Sequence, residues 1–341
     1  MSRPFSLPTH AQRHDARDRA LQRSGVAGLY SKLARPRVAT ILCYHSVAPD
    51  EDAGCVDPRW RLSPQEFTRQ VEFLAAERRV VALSELVATL RAGDAPLPGT
   101  VAIVFDDGYR DNLTVAAPIL ANYGLPATLF LATGHVERSE PQFVDRLHTY
   151  WKHRTRRRLR LPGLDLDLRD PEQAARGKRE LNQRLIVADH DQREDLLTSL
   201  AVQLGVPRAL PSRLTLTWDE ARELVRRHPR FEIGVHSVNH LDLRTHAHRL
   251  EDELLRSRAM VEAELQRTPR HHSFPFGRST PLLRAQVRQL GFDSACADRE
   301  QAWVQQGCDP YWLGRVYPTS SMTLLRYRTS GAEAGLQRLL G

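Results

Sequence analysis

An α/β fold with parallel crossovers is predicted by two features: short apolar runs that end abruptly on polar residues, and capped helical segments that alternate with them. The first run is Ile41 to Val47, ILCYHSV. Ser63-Pro64-Gln65-Glu66 then forms a capping box with proline at the first helical position, and Phe67, Val71 and Leu74 lie on one face of the helix it opens. Ser84 is expected to open a second helix carrying Leu86, Val87 and Leu90, closed by Gly93. Val101 to Phe105 reads as a buried strand. Thr217-Trp218-Asp219-Glu220 opens a helix that Pro229 ends, just before the strand FEIGV. A long helix from about Arg249 to Arg267 separates that strand from HHSFPFGRST, and a helix over Pro281 to Leu290 follows, stopped by Gly291.

The chemistry sits where the apolar runs stop. VAIVF ends on Asp106 and Asp107, which Gly108 follows. Adjacent carboxylates repel, so a pair kept at the mouth of an apolar strand points to a cation on one and a catalytic role for the other. The competing reading is plain turn chemistry. FEIGV breaks at His236, and a second imidazole returns at His240, a spacing of about one helical turn that lets two neutral nitrogens converge on one ion. With 14 histidines in the chain, two unrelated polar histidines are the alternative. Position favours the site: in a parallel α/β barrel the carboxyl ends of the strands open onto one face, and a third run ends there at Pro275, Phe276 and Gly277.

On these residues the chain resembles the polysaccharide deacetylase family, the homology domain of chitin, peptidoglycan and exopolysaccharide deacetylases. The matching pieces are FDDG at Phe105 to Gly108, HSVNH at His236 to His240 and FPFG at Phe274 to Gly277, supported by ILCYHSV, by GLPATLFL at Gly124 to Leu131 and by ELLRSRAMVEAEL at Glu253 to Leu265. The resemblance implies a deformed, incomplete (β/α) barrel over residues 38–320, with a mostly helical insertion at about 136–214 that carries no recognisable motif. A basic extension, 1–37, and a tail, 321–341, flank it. It implies that Asp107, His236 and His240 bind a divalent metal, zinc first, with cobalt or nickel as alternatives. Asp106 is then the general base toward a metal-activated water, and the backbone N–H of Phe276, in its Pro-aromatic-Gly turn, helps hold the oxyanion. The implied reaction removes acetyl groups from N-acetylated amino sugars of a polysaccharide or its precursor.

Two positions depart from the wider family. Many members carry an arginine two residues before the proline of the third motif, where this chain has Ser273, and many end on a Leu-x-His motif, whereas no histidine follows His272. His45, at the end of the ILCYH strand, is the expected general acid, its alternative being a hydrogen-bonded structural histidine. Arg315, in YWLGRVYP, is the candidate to replace the displaced arginine, against the alternative of a surface charge.

Composition fits a globular enzyme: 341 residues, 41% hydrophobic, with a net charge of +8. Cys43, Cys55, Cys296 and Cys308 show no CxxC pairing and imply reduced thiols; with no apolar leader segment visible, a cytoplasmic location is expected. The run KHRTRRRLR, Lys152 to Arg160, reads as a solvated surface or as an anion-binding patch, and Arg17 to Arg35, with Leu21, Leu29 and Leu33, as a segment that packs on the barrel or touches a membrane peripherally. The arginines lack interleaved aromatics, so no nucleic-acid partner is expected. A non-haem iron oxygenase and a catalytically impaired carbohydrate-binding relative are the rival readings.

Overall fold

The computed structural model describes residues 36–49, 55–138, 140–206 and 213–335. In chain order its strands are β1 (Val38–Tyr44), β2 (Ser46–Val47), β3 (Arg61–Leu62), β4 (Arg79–Val81), β5 (Thr100–Phe105), β6 (Ala127–Leu131), β7 (Arg158–Leu161), β8 (Leu164–Asp167), β9 (Phe231–Val235), β10 (His271–Ser273), β11 (Ser294–Cys296) and β12 (Trp303–Gln305). Its helices are α1 (Pro64–Glu77), α2 (Leu83–Arg91), α3 (Ala117–Asn122), α4 (Phe143–Lys152), α5 (Pro171–Val187), α6 (His190–Leu204), α7 (Trp218–Arg227), α8 (Leu250–Leu265), α9 (Pro281–Gln289) and α10 (Met322–Arg328).

The main sheet runs β11-β10-β9-β6-β5-β1-β12, with β4 also paired to β5. Every pairing in it is parallel except that of β1 with β12. The segment from Leu313 to Val316 bridges the remaining gap. Leu313 donates to the Ala295 carbonyl of β11 and accepts from the Ala297 N–H just beyond it, while Val316 donates to Ile41 and accepts from Cys43 of β1. The result is the deformed, incomplete (β/α) barrel, and β1, β5 and β6 are buried along their whole length, as strands covered on both faces must be. Alternation along β5 divides its side chains. Val101, Ile103 and Phe105 join the larger core beneath the helices, whereas Ala102 and Val104 share a second cluster with Cys43, Cys296 and Leu313. Asp106 continues the parity of that second set and so turns toward the same side as Arg315.

Local signals explain the helices. The capping boxes Ser63/Glu66 and Thr217/Glu220 are both formed, at α1 and α7. The second helix differs from expectation: α2 starts at Leu83 with Ala82 as its cap, because Ser84 is drawn to the Glu232 carboxylate on β9 and does not cap. Helix α8 is shorter than its periodicity suggests, ending at Gln266 in a left-handed conformation.

The insertion is a packed subdomain. Helices α4, α5 and α6 and the β7–β8 hairpin enclose their own core of Phe143, Leu147, Trp151, Leu181, Leu185 and Leu197, and Phe276 of the third motif packs against it. Its basic run is mostly exposed, with Arg158 and Arg160 paired to Asp165. The residues after 320 also join the barrel: Leu325 enters the main core and Arg326 pairs with Glu77. Arg17 to Arg35 lies outside the described residues. Among the described residues no helix is long and apolar enough to cross a membrane, and no disulfide links the four cysteines.

Candidate active site

The DDG turn at the end of β5 aims its two carboxylates in different directions. Asp106 extends the ladder by donating its N–H to the Tyr44 carbonyl, and then Asp107 takes φ 77° and Gly108 φ 80°. A Cβ on Gly108 would come within 2.8 Å of Leu131 Cδ2, so glycine is needed there for space as well as for conformation. Asp107 Oδ1 lies 3.4 Å from His240 Nε2 and 3.7 Å from His236 Nε2, and the two Nε2 atoms are 3.1 Å apart.

The two imidazoles do not meet across a helical turn, as their spacing suggests. Residues 236–240 form an irregular loop in which Ser237 (φ 65°) and His240 (φ 50°) are both left-handed, and this reversal folds one ring back against the other. His236 donates from Nδ1 to the Ser273 carbonyl at 2.7 Å, which leaves its Nε2 as a lone-pair donor. Burial lowers the pKa of both rings, so both are neutral ligands at neutral pH. Asp107 Oδ1 is buried with no hydrogen-bond partner, and burial together with Asp106 pushes its carboxyl well above the usual range. An orphaned carboxylate oxygen facing two neutral imidazole nitrogens fits a divalent cation, whose charge would reverse that shift. These three donor atoms lie within 4.8 Å of one another.

Asp106 Oδ2 also lies 3.7 Å from His236 Nε2, but its hydrogen bonds are made to a separate polar cluster. Arg315 donates from Nη1 to Asp106 Oδ2 at 2.5 Å and to Ser273 Oγ at 2.7 Å, and from Nη2 to Tyr317 Oη at 2.9 Å. Burial alone would raise the Asp106 carboxyl, but Arg315, His236 and His45 outweigh it and hold the group below the ordinary carboxylate range. The arginine thus occupies the space beside Ser273 and reaches the same carboxylate from a later segment.

Residues 94–295 match the polysaccharide deacetylase family. This chain belongs to that family. YxkH of Bacillus subtilis (strain 168), named as a polysaccharide deacetylase, is 31% identical over 101 residues, which cover 29% of this chain and 34% of YxkH, about a third of that relative's length. Solved folds agree along most of the chain. The Streptococcus pyogenes deacetylase PplD, in complex with acetate, superposes with TM-score 0.55 at 17% identity over 88% of this chain and 97% of its own. IcaB from Ammonifex degensii gives TM-score 0.57 at 18% identity, covering 86% and 97%. A de-N-acetylase from Aggregatibacter actinomycetemcomitans gives 0.53 at 16%, covering 85% and 99%.

In this member of the family, His45 lies at the barrel mouth between Trp60 and Tyr317, with ring centroids 4.7 and 6.1 Å away. One of its ring nitrogens is within 4.8 Å of an Asp106 carboxylate oxygen. Burial lowers its pKa to about 4 against the opposing pull of Asp106, so the resting ring is neutral. The Pro275-Phe276-Gly277 turn sits on the opposite side. Phe276 is left-handed (φ 59°) and sets its ring edge-on to His240 at 4.6 Å, while a Cβ on Gly277 would collide with the Asp298 carboxylate. The N–H groups of Gly277 and Arg278 are committed to the carbonyls of Phe274 and Pro275.

Several site residues escaped the sequence reading. Glu253 of α8 is fully buried and accepts from the N–H groups of Val238 and Asn239 and from Asn239 Nδ2 at 2.7–2.9 Å, holding the histidine loop from beneath. Arg193 of α6 reaches the same loop from the insertion. Asp242 pairs with Arg278 at 2.7 Å, tying the second motif to the third. Both Glu253 and Arg193 are charged residues on largely apolar helical stripes, and that anomaly is the signal that could have found them.

Proposed function

We propose that this chain is a metal-dependent hydrolase that removes acetyl groups from N-acetylated amino sugars of a polysaccharide or its precursor. The observation that carries the reading is the pairing of two sites across one dipeptide: Asp107 in a convergent triad with His236 and His240, and Asp106 in a separate anchored cluster with Arg315 and Ser273. Asp107, His236 and His240 would hold the ion, zinc by donor type with cobalt or nickel as alternatives; when bound, it acidifies a water and polarises the acetyl carbonyl.

The protein groups account for the proton. Asp106 is ionised throughout the ordinary pH range and accepts the proton of the attacking water. The amine cannot leave as an anion, so that proton must reach its nitrogen. His45 is neutral in the resting site and carries a proton only after receiving one, and Asp106, whose own pKa lies lower, is the donor at hand. On this scheme Asp106 is the base, His45 the acid and Arg315 the group that orients and restrains Asp106. With the neighbouring amides engaged, the Phe276 N–H is the candidate donor to the tetrahedral oxyanion, framed by Pro275 and Gly277.

Acetate release from N-acetylated oligosaccharides, by metal-stripped protein refilled with zinc, cobalt, nickel or iron, tests this beside Asp106→Asn. Metal-restored release that Asp106→Asn abolishes supports the hydrolase. Stoichiometric metal binding without release from any glycan in the panel favours the impaired carbohydrate-binding relative, the reading that the missing Leu-x-His motif recommends. The absence of a disulfide among the four cysteines is consistent with a cytoplasmic placement, with a nucleotide-linked or lipid-linked precursor as substrate, and recovery of the native protein from a periplasmic or culture fraction would overturn that part.

A further inference from the structure

The loop that carries His236 and His240 is gripped from both sides, and one side is the insertion. Glu253 takes its amide protons. Arg193, 1% exposed, takes its carbonyls: Nη1 donates to Asn239 O at 3.0 Å and Nη2 to His240 O at 3.3 Å, while Nε donates to Leu185 O at 3.0 Å within the insertion. The guanidinium is stacked 4.3 Å over the ring of Phe143, whose centroid lies 6.3 Å from that of His240. Among the described residues none of its hydrogen bonds is to a carboxylate, so a fully desolvated cation is spent on main-chain oxygens. A left-handed histidine persists only where its surroundings over-determine it, and the His240 carbonyl is one of the two that Arg193 fixes.

We propose that Arg193 is a positioning residue for the metal ligand His240, which makes the helical insertion a working part of the centre for a divalent cation. The inference rests on the reading that Asp107, His236 and His240 hold that ion. Without Arg193 the loop keeps Glu253 beneath it but loses the contact that sets the pitch of the His240 peptide, and the ring can swing away from His236 Nε2. Outer contacts of this kind are worth about 10–100-fold in metal affinity.

Zinc affinity by chelator competition and the visible spectrum of the cobalt-loaded protein test it, on wild type, Arg193→Gln, Arg193→Lys and Arg146→Gln. Arg146 is a second buried arginine of the insertion, paired with Glu194 at 2.6 Å and without a bond to the loop. Arg193→Gln is expected to weaken zinc binding about 10–100-fold and to alter the cobalt spectrum. Arg193→Lys, with fewer fixed donors, should fall between it and wild type, and decides the matter where the glutamine variant does not fold. Arg146→Gln should lower the melting temperature while leaving affinity and spectrum as in wild type. Wild-type affinity and spectrum in a folded Arg193 variant would overturn the proposal. A wild-type protein that binds neither zinc nor cobalt would instead sink the reading of the triad, and this inference with it.

Discussion

Arg315 and Asp106, 209 positions apart in sequence, form a buried ion pair at 2.5 Å that Ser273 Oγ completes from the side. Nη2 of the same guanidinium is anchored by Tyr317, so its plane is fixed and the Asp106 carboxylate with it. Arg315→Met should therefore lower kcat about 100-fold with little change in KM, since the base is disordered and not removed. It should also destabilise the fold by about 3–5 kcal/mol, because Asp106 is left as an unpaired buried charge. Arg315→Lys cannot serve Asp106, Ser273 and Tyr317 together and should recover only part of either loss. Ser273→Arg in the Arg315→Ala background places a guanidinium where many family members carry it. Recovery of kcat would show that only the origin of the arginine differs, whereas no recovery would mean that the late segment is needed for more than its charge. Steady-state kinetics and denaturant titration read both effects.

His45→Gln separates the acid from the base. Turnover of N-acetyl substrates should fall by about 10²–10⁴-fold, the range of a positioned proton donor, while bound metal stays stoichiometric. An aryl acetate with a good leaving group needs no proton on the departing oxygen, so its hydrolysis should be nearly unaffected. Asp106→Asn should lose both activities. If His45→Gln hydrolyses the amide at the wild-type rate at every pH, His45 is a structural histidine held between Trp60 and Tyr317.

The barrel and its mouth were legible because burial and strand ends leave simple marks. Runs such as VAIVF are apolar along their whole length only where both faces are covered, and each stops at the residue that enters the mouth. Arg315 was legible as a charge inside the apolar segment YWLGRVYP, and the structure shows why it stands there: Leu313 and Val316 close the barrel between β11 and β1. The mode of convergence of His236 and His240 was not legible, since a spacing of four residues fits a helical turn, and the left-handed conformations of Ser237 and His240 carry no glycine to advertise them. The role of the insertion was hidden for a different reason. Arg193 lies in a polar stretch, and only the stripe it shares with Leu197, Leu200 and Leu204 marks it as buried.

Removing the metal should cost stability as well as activity. In the stripped protein the orphaned Asp107 oxygen and the two imidazoles face one another without a counter-charge, so the melting temperature should fall on chelation and return on refilling. At a free zinc concentration about 1,000 times Kd, the ion contributes about 4 kcal/mol. Asp106→Asn should keep that metal-dependent rise while losing turnover, and His240→Ala should lose both. Calorimetry with and without zinc checks the assignment. An equal rise in His240→Ala would place the ion elsewhere.

Acid should destabilise the fold through histidines that the catalytic scheme does not use. His135 and His272 are buried, each has a ring nitrogen without a partner, and burial lowers both pKa values to about 3. In the unfolded chain they titrate at about 6.5. Below that pH the unfolded state binds the extra protons, so the stabilisation is complete above about 6.5 and is lost progressively as pH falls toward about 3. Asp145 acts in the opposite sense. Burial raises its pKa to about 7 despite the hydrogen bond from Tyr109, so its contribution is greatest at acid pH and disappears as pH rises through neutrality. The buried imidazoles with lowered pKa, His45, His236 and His240 among them, outnumber the raised carboxyls of Asp145 and Asp107, which leaves a net loss on acidification. The melting temperature should drop between pH 6.5 and 4.5, less steeply in His135→Gln or His272→Gln and more steeply in Asp145→Asn, where the opposing contribution is gone. Parallel melting curves for all four proteins would mean that these groups are not what the fold protects from protons.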